Sequence, residues 1–116
     1  MPIVISGPIG AGKSTLCRKL LACDKNIKYL GEYDQTEIGH KLLLEFQKGK
    51  VNGDVLQLFI ADWWTHVPHC EIYERLPRES LIFAREQIQD KRILPILEDM
   101  IIKAEQRLGL DNIPIV

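Results

Sequence analysis

Residues Gly7-Pro8-Ile9-Gly10-Ala11-Gly12-Lys13-Ser14 fit the pattern G-x-x-x-x-G-K-[ST]. The chemistry this spacing serves is phosphate binding. Glycines let the backbone curl until successive N–H groups point inward at phosphate oxygens, and a helix beginning there adds the positive end of its dipole. Lys13 is placed to reach the β- and γ-phosphates, and the Ser14 hydroxyl to hold a magnesium ion. Pro2-Ile3-Val4-Ile5 ahead of the loop reads as a short buried strand, and residues 15–21 behind it carry apolar side chains at helical spacing. Strand, glycine-rich turn and helix form the setting the motif requires. A nucleoside triphosphate with magnesium is the expected ligand.

Three other groups could do chemistry. Glu32 follows the apolar segment 27–30 and Gly31, where a carboxylate can accept a proton. Gln57 lies among apolar residues in Leu56-Gln57-Leu58-Phe59, so its amide needs a buried partner or a ligand. Glu74 and Arg75 form an adjacent acid–base pair after Cys70-Glu71-Ile72-Tyr73. Each has a plainer reading as well: a surface glutamate, an internally paired amide, and a solvated ion pair worth little. His66, His69 and Cys70 cluster three metal-ligand types, but Pro68 and the lack of an evident fourth ligand favour an ordinary loop.

These residues need elements to hold them. The pattern predicts short strands over 2–5, 27–30 and 70–73, and a fourth, apolar strand over 113–116. Thr36 is placed to cap a helix running to about Lys48 with Gly49 as its stop, and Asn52-Gly53-Asp54 to open a helix ended by Pro68. A further helix is predicted over 80–89. The last starts near Ile93, tolerates Pro95 in its first turn, repeats apolar residues at Leu97, Ile101, Ala104 and Leu108, and stops at Gly109. Strands alternating with helices predict an α/β fold, with a P-loop NTPase-type parallel sheet of about four strands flanked by helices. Residues 1–116 are expected to form one such domain.

The composition, 46% hydrophobic and 27% charged, is that of a globular domain. Fifteen basic against sixteen acidic residues leave a net charge of -1, which argues against a nucleic-acid or anionic-membrane footprint. Cys17, Cys23 and Cys70 show no C-x-x-C spacing and read as reduced thiols. No apolar run reaches transmembrane length, and the first strand leaves no room for a leader, so a cytoplasmic location is expected.

Taken in order, the motifs resemble the deoxyribonucleoside kinase family. The loop is similar to that family's G-x-I-G-x-G-K-S-T, here Gly7 through Thr15. The resemblance implies that these residues bind ATP and that Lys13 acts with Glu32 and Arg75 in catalysis, Glu32 being the general base for the nucleoside 5′-hydroxyl. It implies that Gln57 pairs with the base, and that Phe46 stands where a sugar-binding tyrosine is usual. Tyr73-Glu74-Arg75-Leu76 resembles the E-R-S segment, in which Glu74 would hold magnesium with Ser14, or the 5′-end of the nucleoside, and Arg75 would contact phosphate. Glu79 takes the place of a base-contacting acid. The departures are Leu76 for the serine, Glu37 for a tryptophan and Trp64 for an arginine. Two alternatives stay open, a thymidylate-like nucleoside monophosphate kinase and a non-catalytic nucleotide-binding remnant.

The family's arginine-rich lid and last strand have no counterpart, and the chain stops while entering an apolar strand. The expectation is therefore a C-terminally incomplete domain with weak or no kinase activity. Its open sheet edge would favour self-association, for instance as a homodimer.

Overall fold

The computed structural model describes residues 3–5, 15, 16, 18, 19, 22 and 28–111. Strands β1 (Ile3–Val4), β2 (Tyr29–Leu30) and β3 (Ile72–Tyr73) form one parallel sheet in the order β1-β3-β2. Ile72 lies opposite both Ile3 and Tyr29, and Tyr73 opposite both Val4 and Leu30. Among the described residues, helices α1 (Glu37–Gln47) and α2 (Gly53–His66) lie in the crossover from β2 to β3, and α3 (Glu79–Gln87) and α4 (Leu94–Leu108) follow β3.

Helices α1 and α2 begin where short polar side chains satisfy one of the first free N–H groups. The Thr36 hydroxyl accepts from Gly39 N at 3.0 Å and donates to the Tyr33 carbonyl at 2.7 Å. The Asn52 side chain accepts from Val55 N at 3.1 Å to open α2. Pro95 occupies the first turn of α4, where its missing N–H costs nothing. Gly109 closes that helix in the left-handed region at φ 72°. At the end of α2, Arg107 of α4 donates to the carbonyls of Trp64 and Val67 at 3.1 and 2.8 Å, filling acceptors the helix leaves over.

The core is helical more than sheet-like. Leu56, Ile60, Ala61 and Trp64 on α2 meet Leu97, Ile101, Ala104 and Leu108 on α4, with Ala84 of α3 beside them. Their spacings place them on one stripe of each helix. The sheet adds Val4, Ile72 and Tyr73 beneath.

This corrects the expectation of a P-loop NTPase-type sheet of about four strands. The molecule is mostly helical, and each described strand is two residues long. Of the candidate strands 27–30 and 70–73, Tyr29–Leu30 and Ile72–Tyr73 are strand; just before them the Lys28 carbonyl accepts from both Glu71 N and Ile72 N, at 2.9 and 3.1 Å, and Lys28 N donates to the Glu71 carboxylate at 2.7 Å. The buried apolar area that four strands were to supply comes from the helices. The expected fourth strand, 113–116, lies outside the described residues. Among the described residues no helix is long and apolar enough to cross a membrane.

Candidate functional site

Strand register builds the site. Leu30 of β2 and Tyr73 of β3 are directly paired, and Glu32 and Arg75 each lie two residues further along. In neighbouring parallel strands such positions leave the sheet at one level, pointing to the same side. Arg75 accordingly donates its Nε–H to Glu32 Oε1, and both side chains are about three-quarters buried, at 21% and 28% exposed. Glu79 stands 3.7 Å from the far side of the same guanidinium.

Beside this pair opens a cavity of about 310 Å³. Its walls come from the turn after β2 (Gly31 to Asp34), from Leu43 and Gln47 of α1, and from the buried side of α2 with Gln57, Trp63 and Trp64. Arg75, Leu76 and three residues of α3, Ser80, Phe83 and Gln87, complete it. The indole rings of Trp63 and Trp64 meet edge to face, 4.8 Å apart. Gln57, only 3% exposed, donates its amide N–H to Gln87 Oε1 at 2.7 Å. The volume is at the small end of the range of about 300–1,000 Å³ in which small-molecule ligands are bound.

The charges in the turn shift one another. Burial pushes the Tyr33 hydroxyl up to about 12, with Asp34 and Glu32 adding to the effect. The Asp34 carboxyl is also raised, first by burial and then by the neighbouring Glu32 carboxylate. Among the described residues, Arg75 pairs with Glu32 of this acidic turn, and His40 partly offsets the raised Asp34 pKa.

Of the residues singled out from sequence, the fold brings Glu32, Gln57 and Arg75 into the wall of one cavity. Glu74 is almost fully buried next to them. Its carboxylate accepts from the Tyr29 hydroxyl and, at 3.3 Å, from Gln35 Nε2. Phe46 packs against the core, and the same helix presents Leu43 and Gln47 to the cavity instead. Glu79 is the first residue of α3, and its carboxylate accepts from Leu76 N at 2.7 Å, so it shapes the turn that carries Arg75. Thr15 has helical backbone. Gly7, Pro8, Ile9, Gly10, Ala11, Gly12, Lys13 and Ser14 lie outside the described residues.

Sequence reasoning missed Gln87, Tyr33, Asp34, and Tyr29 and Gln35, which bond Glu74. The one signal available was that a glutamine among apolar residues needs a partner; which residue supplies it is tertiary information. The histidine–cysteine cluster gains no support: His66 bonds back to Asp62 on its own helix, and among the described residues no group of three His, Cys, Asp or Glu side chains could hold a metal.

The arrangement offers a carboxylate to take a proton, a guanidinium to meet developing negative charge, amides to read hydrogen-bonding edges, and aromatic walls for a planar ring. No family model, curated protein or solved structure matches this chain.

Proposed function

We propose that the chain transfers the γ-phosphoryl group of ATP to the 5′-hydroxyl of a deoxyribonucleoside, as a nucleotide-salvage kinase of a reducing, cytoplasmic compartment. The observation that carries this reading is the Glu32–Arg75 pair set into the wall of a cavity that Gln57 also lines. An unphosphorylated hydroxyl needs a proton acceptor at the reacting end, and Glu32 supplies one. As the oxygen–phosphorus bond forms, Glu32 takes the hydroxyl proton while the leaving oxygen stays on ADP. Arg75 offsets charge on the transferring group. Gln57 meets the base, and the tryptophans flank it.

ATP enters this reading through the motif Gly7 to Ser14, with Lys13 on its outer phosphates. Magnesium bound with ATP would neutralise charge on the β- and γ-oxygens. Ser14 and Glu74 are the residues that would hold it, and a magnesium ion that shares phosphate and water ligands needs no all-protein cage.

The test is transfer of labelled phosphate from ATP to a panel of deoxyribonucleosides and their monophosphates. Slow but detectable transfer to nucleosides is the expected result, in keeping with the weak activity expected from the sequence, and Glu32→Gln should lower that turnover by a factor of about 10²–10⁴ with little change in nucleoside affinity. Transfer to monophosphates alone, or a Glu32→Gln enzyme with unchanged turnover, would reject the proposal.

A further inference from the structure

Asn52 caps α2 and is followed directly by Gly53. Asparagine side chains are thermolabile because the next backbone nitrogen can attack their amide carbon. Glycine leaves that nitrogen the most accessible, having no Cβ. The chain's other asparagines, Asn26 and Asn112, each precede isoleucine, whose branched Cβ crowds the attacking atom. Asn52 alone has an open path to ring closure.

The cap geometry lowers the barrier further. Asn52 is exposed, so water and base reach it. Gly53 N belongs to the first, unbonded N–H groups of the helix. Among the described residues it donates to no acceptor, so losing its proton breaks no hydrogen bond. Asn52 Oδ1 accepts from Val55 N at 3.1 Å. That oxygen gains negative charge when its carbon is attacked, and the Val55 N–H and the positive end of the α2 dipole stand ready for it. The Asn52 backbone is extended, at φ -86° and ψ 168°, and the bond from Leu56 N to its carbonyl is stretched to 3.5 Å, so this peptide is loosely tied and can turn.

We propose that the Asn52–Gly53 bond is a site of spontaneous deamidation, and that its isoaspartyl product opens the cavity wall between α2 and α3. Gly53 N loses its proton to solvent and bonds Asn52 Cγ; the side-chain nitrogen takes up a proton and leaves as ammonia. Water then opens the succinimide ring. Addition at Cγ gives aspartate, which still caps the helix and suits its dipole. Addition at the Asn52 backbone carbon gives isoaspartate, which routes the chain through the former side chain and lengthens it by a carbon atom. Gly53 has no room for that shift. A Cβ there would come within 2.3 Å of the Gln87 carbonyl, and next to it the Asp54 carboxylate accepts from Gln89 N at 2.7 Å and Asp90 N at 3.3 Å. A displaced Gly53 thus moves the end of α3, and with it the Gln57–Gln87 bond at the cavity wall.

The full chain, incubated in mildly alkaline buffer, reads this through ammonia release, peptide mass mapping and isoaspartate content. Asn52 should deamidate at least about tenfold faster than Asn26 or Asn112 and give both products. Asn52→Ser, which keeps a cap but cannot close the ring, should show no reaction at this position. Trp63 and Trp64 are the chain's tryptophans and both line the cavity, so their fluorescence reports its opening. The acrylamide quenching constant of the isoaspartyl form should rise about twofold above that of Asn52→Asp, which carries the other product's side chain. Deamidation no faster at Asn52 than at Asn26 or Asn112, or confined to the urea-unfolded chain, would overturn the site. Equal quenching of the isoaspartyl form and Asn52→Asp would overturn the link to the cavity.

Discussion

Asp34 sits in the turn after β2 between two other acids, and its position has a thermodynamic cost. Burial raises its pKa most, Glu32 adds to that, and its own backbone hydrogen bond pulls it back only in part. The folded state thus holds the Asp34 proton more tightly than the unfolded chain does. Stability contributed by this residue is present at acid pH and declines as pH rises from the ordinary carboxylate pKa through the raised folded-state value; above that it stays lower. Asp34→Asn removes the penalty. Urea midpoints measured from about pH 3 to pH 8 should show the variant more stable than the parent at neutral pH, the gap closing on acidification. A gap that widens toward low pH would contradict the burial-driven shift. Tyr33, pushed up to about 12, stays neutral over this whole range and keeps a hydroxyl proton to donate at the cavity wall.

At the level of elements, helix ends are where sequence and structure agree best, because capping is local chemistry. Thr36, Asn52, Pro95 and Gly109 each do in the fold what their residue type allows within one turn of chain. Asn52→Ala should cost about 1 kcal/mol and Asn52→Gly only a few tenths, read from urea unfolding; equal losses would mean that the side chain is not the cap. The strands were harder to read. Apolar runs such as 2–5 and 70–73 show that a segment wants burial, but not how many regular ladder steps it makes; of the second run, Ile72–Tyr73 pairs as strand. Half of the candidate site was legible in the same way. Glu32 and Arg75 could be picked from motif order, whereas Gln87 looks like any polar residue at a helix end until α3 is laid against α2. Gly53 is a similar case: its sequence neighbours mark a helix start, but the need for glycine comes from the Gln87 carbonyl across the helix contact.

On the scale of the molecule, three helices carry the core while the sheet acts mainly as an alignment device. β3 is central, and both of its neighbours take their height from Ile72 and Tyr73. Exposed apolar side chains such as Ile38, Ile82 and Ile102 are spread over different helices, which is ordinary for a protein surface. The alignment of Glu32 with Arg75 has one more implication. It depends on which residues of β2 and β3 pair, and not on how much chain runs between the strands. The join between α1 and α2 passes through exposed Lys48, Gly49 and Lys50, and Gly49 has nothing within 4 Å of the position a Cβ would take. Inserting about four glycine and serine residues there should cost no more than about 0.6 kcal/mol and leave nucleoside affinity unchanged, because α1 and α2 stay docked by their own packing. A large loss of affinity would mean that the join sets the distance between the partners. Otherwise this turn is a place where length can be edited, by an engineer or by descent, without moving the two groups that face each other across the sheet's end.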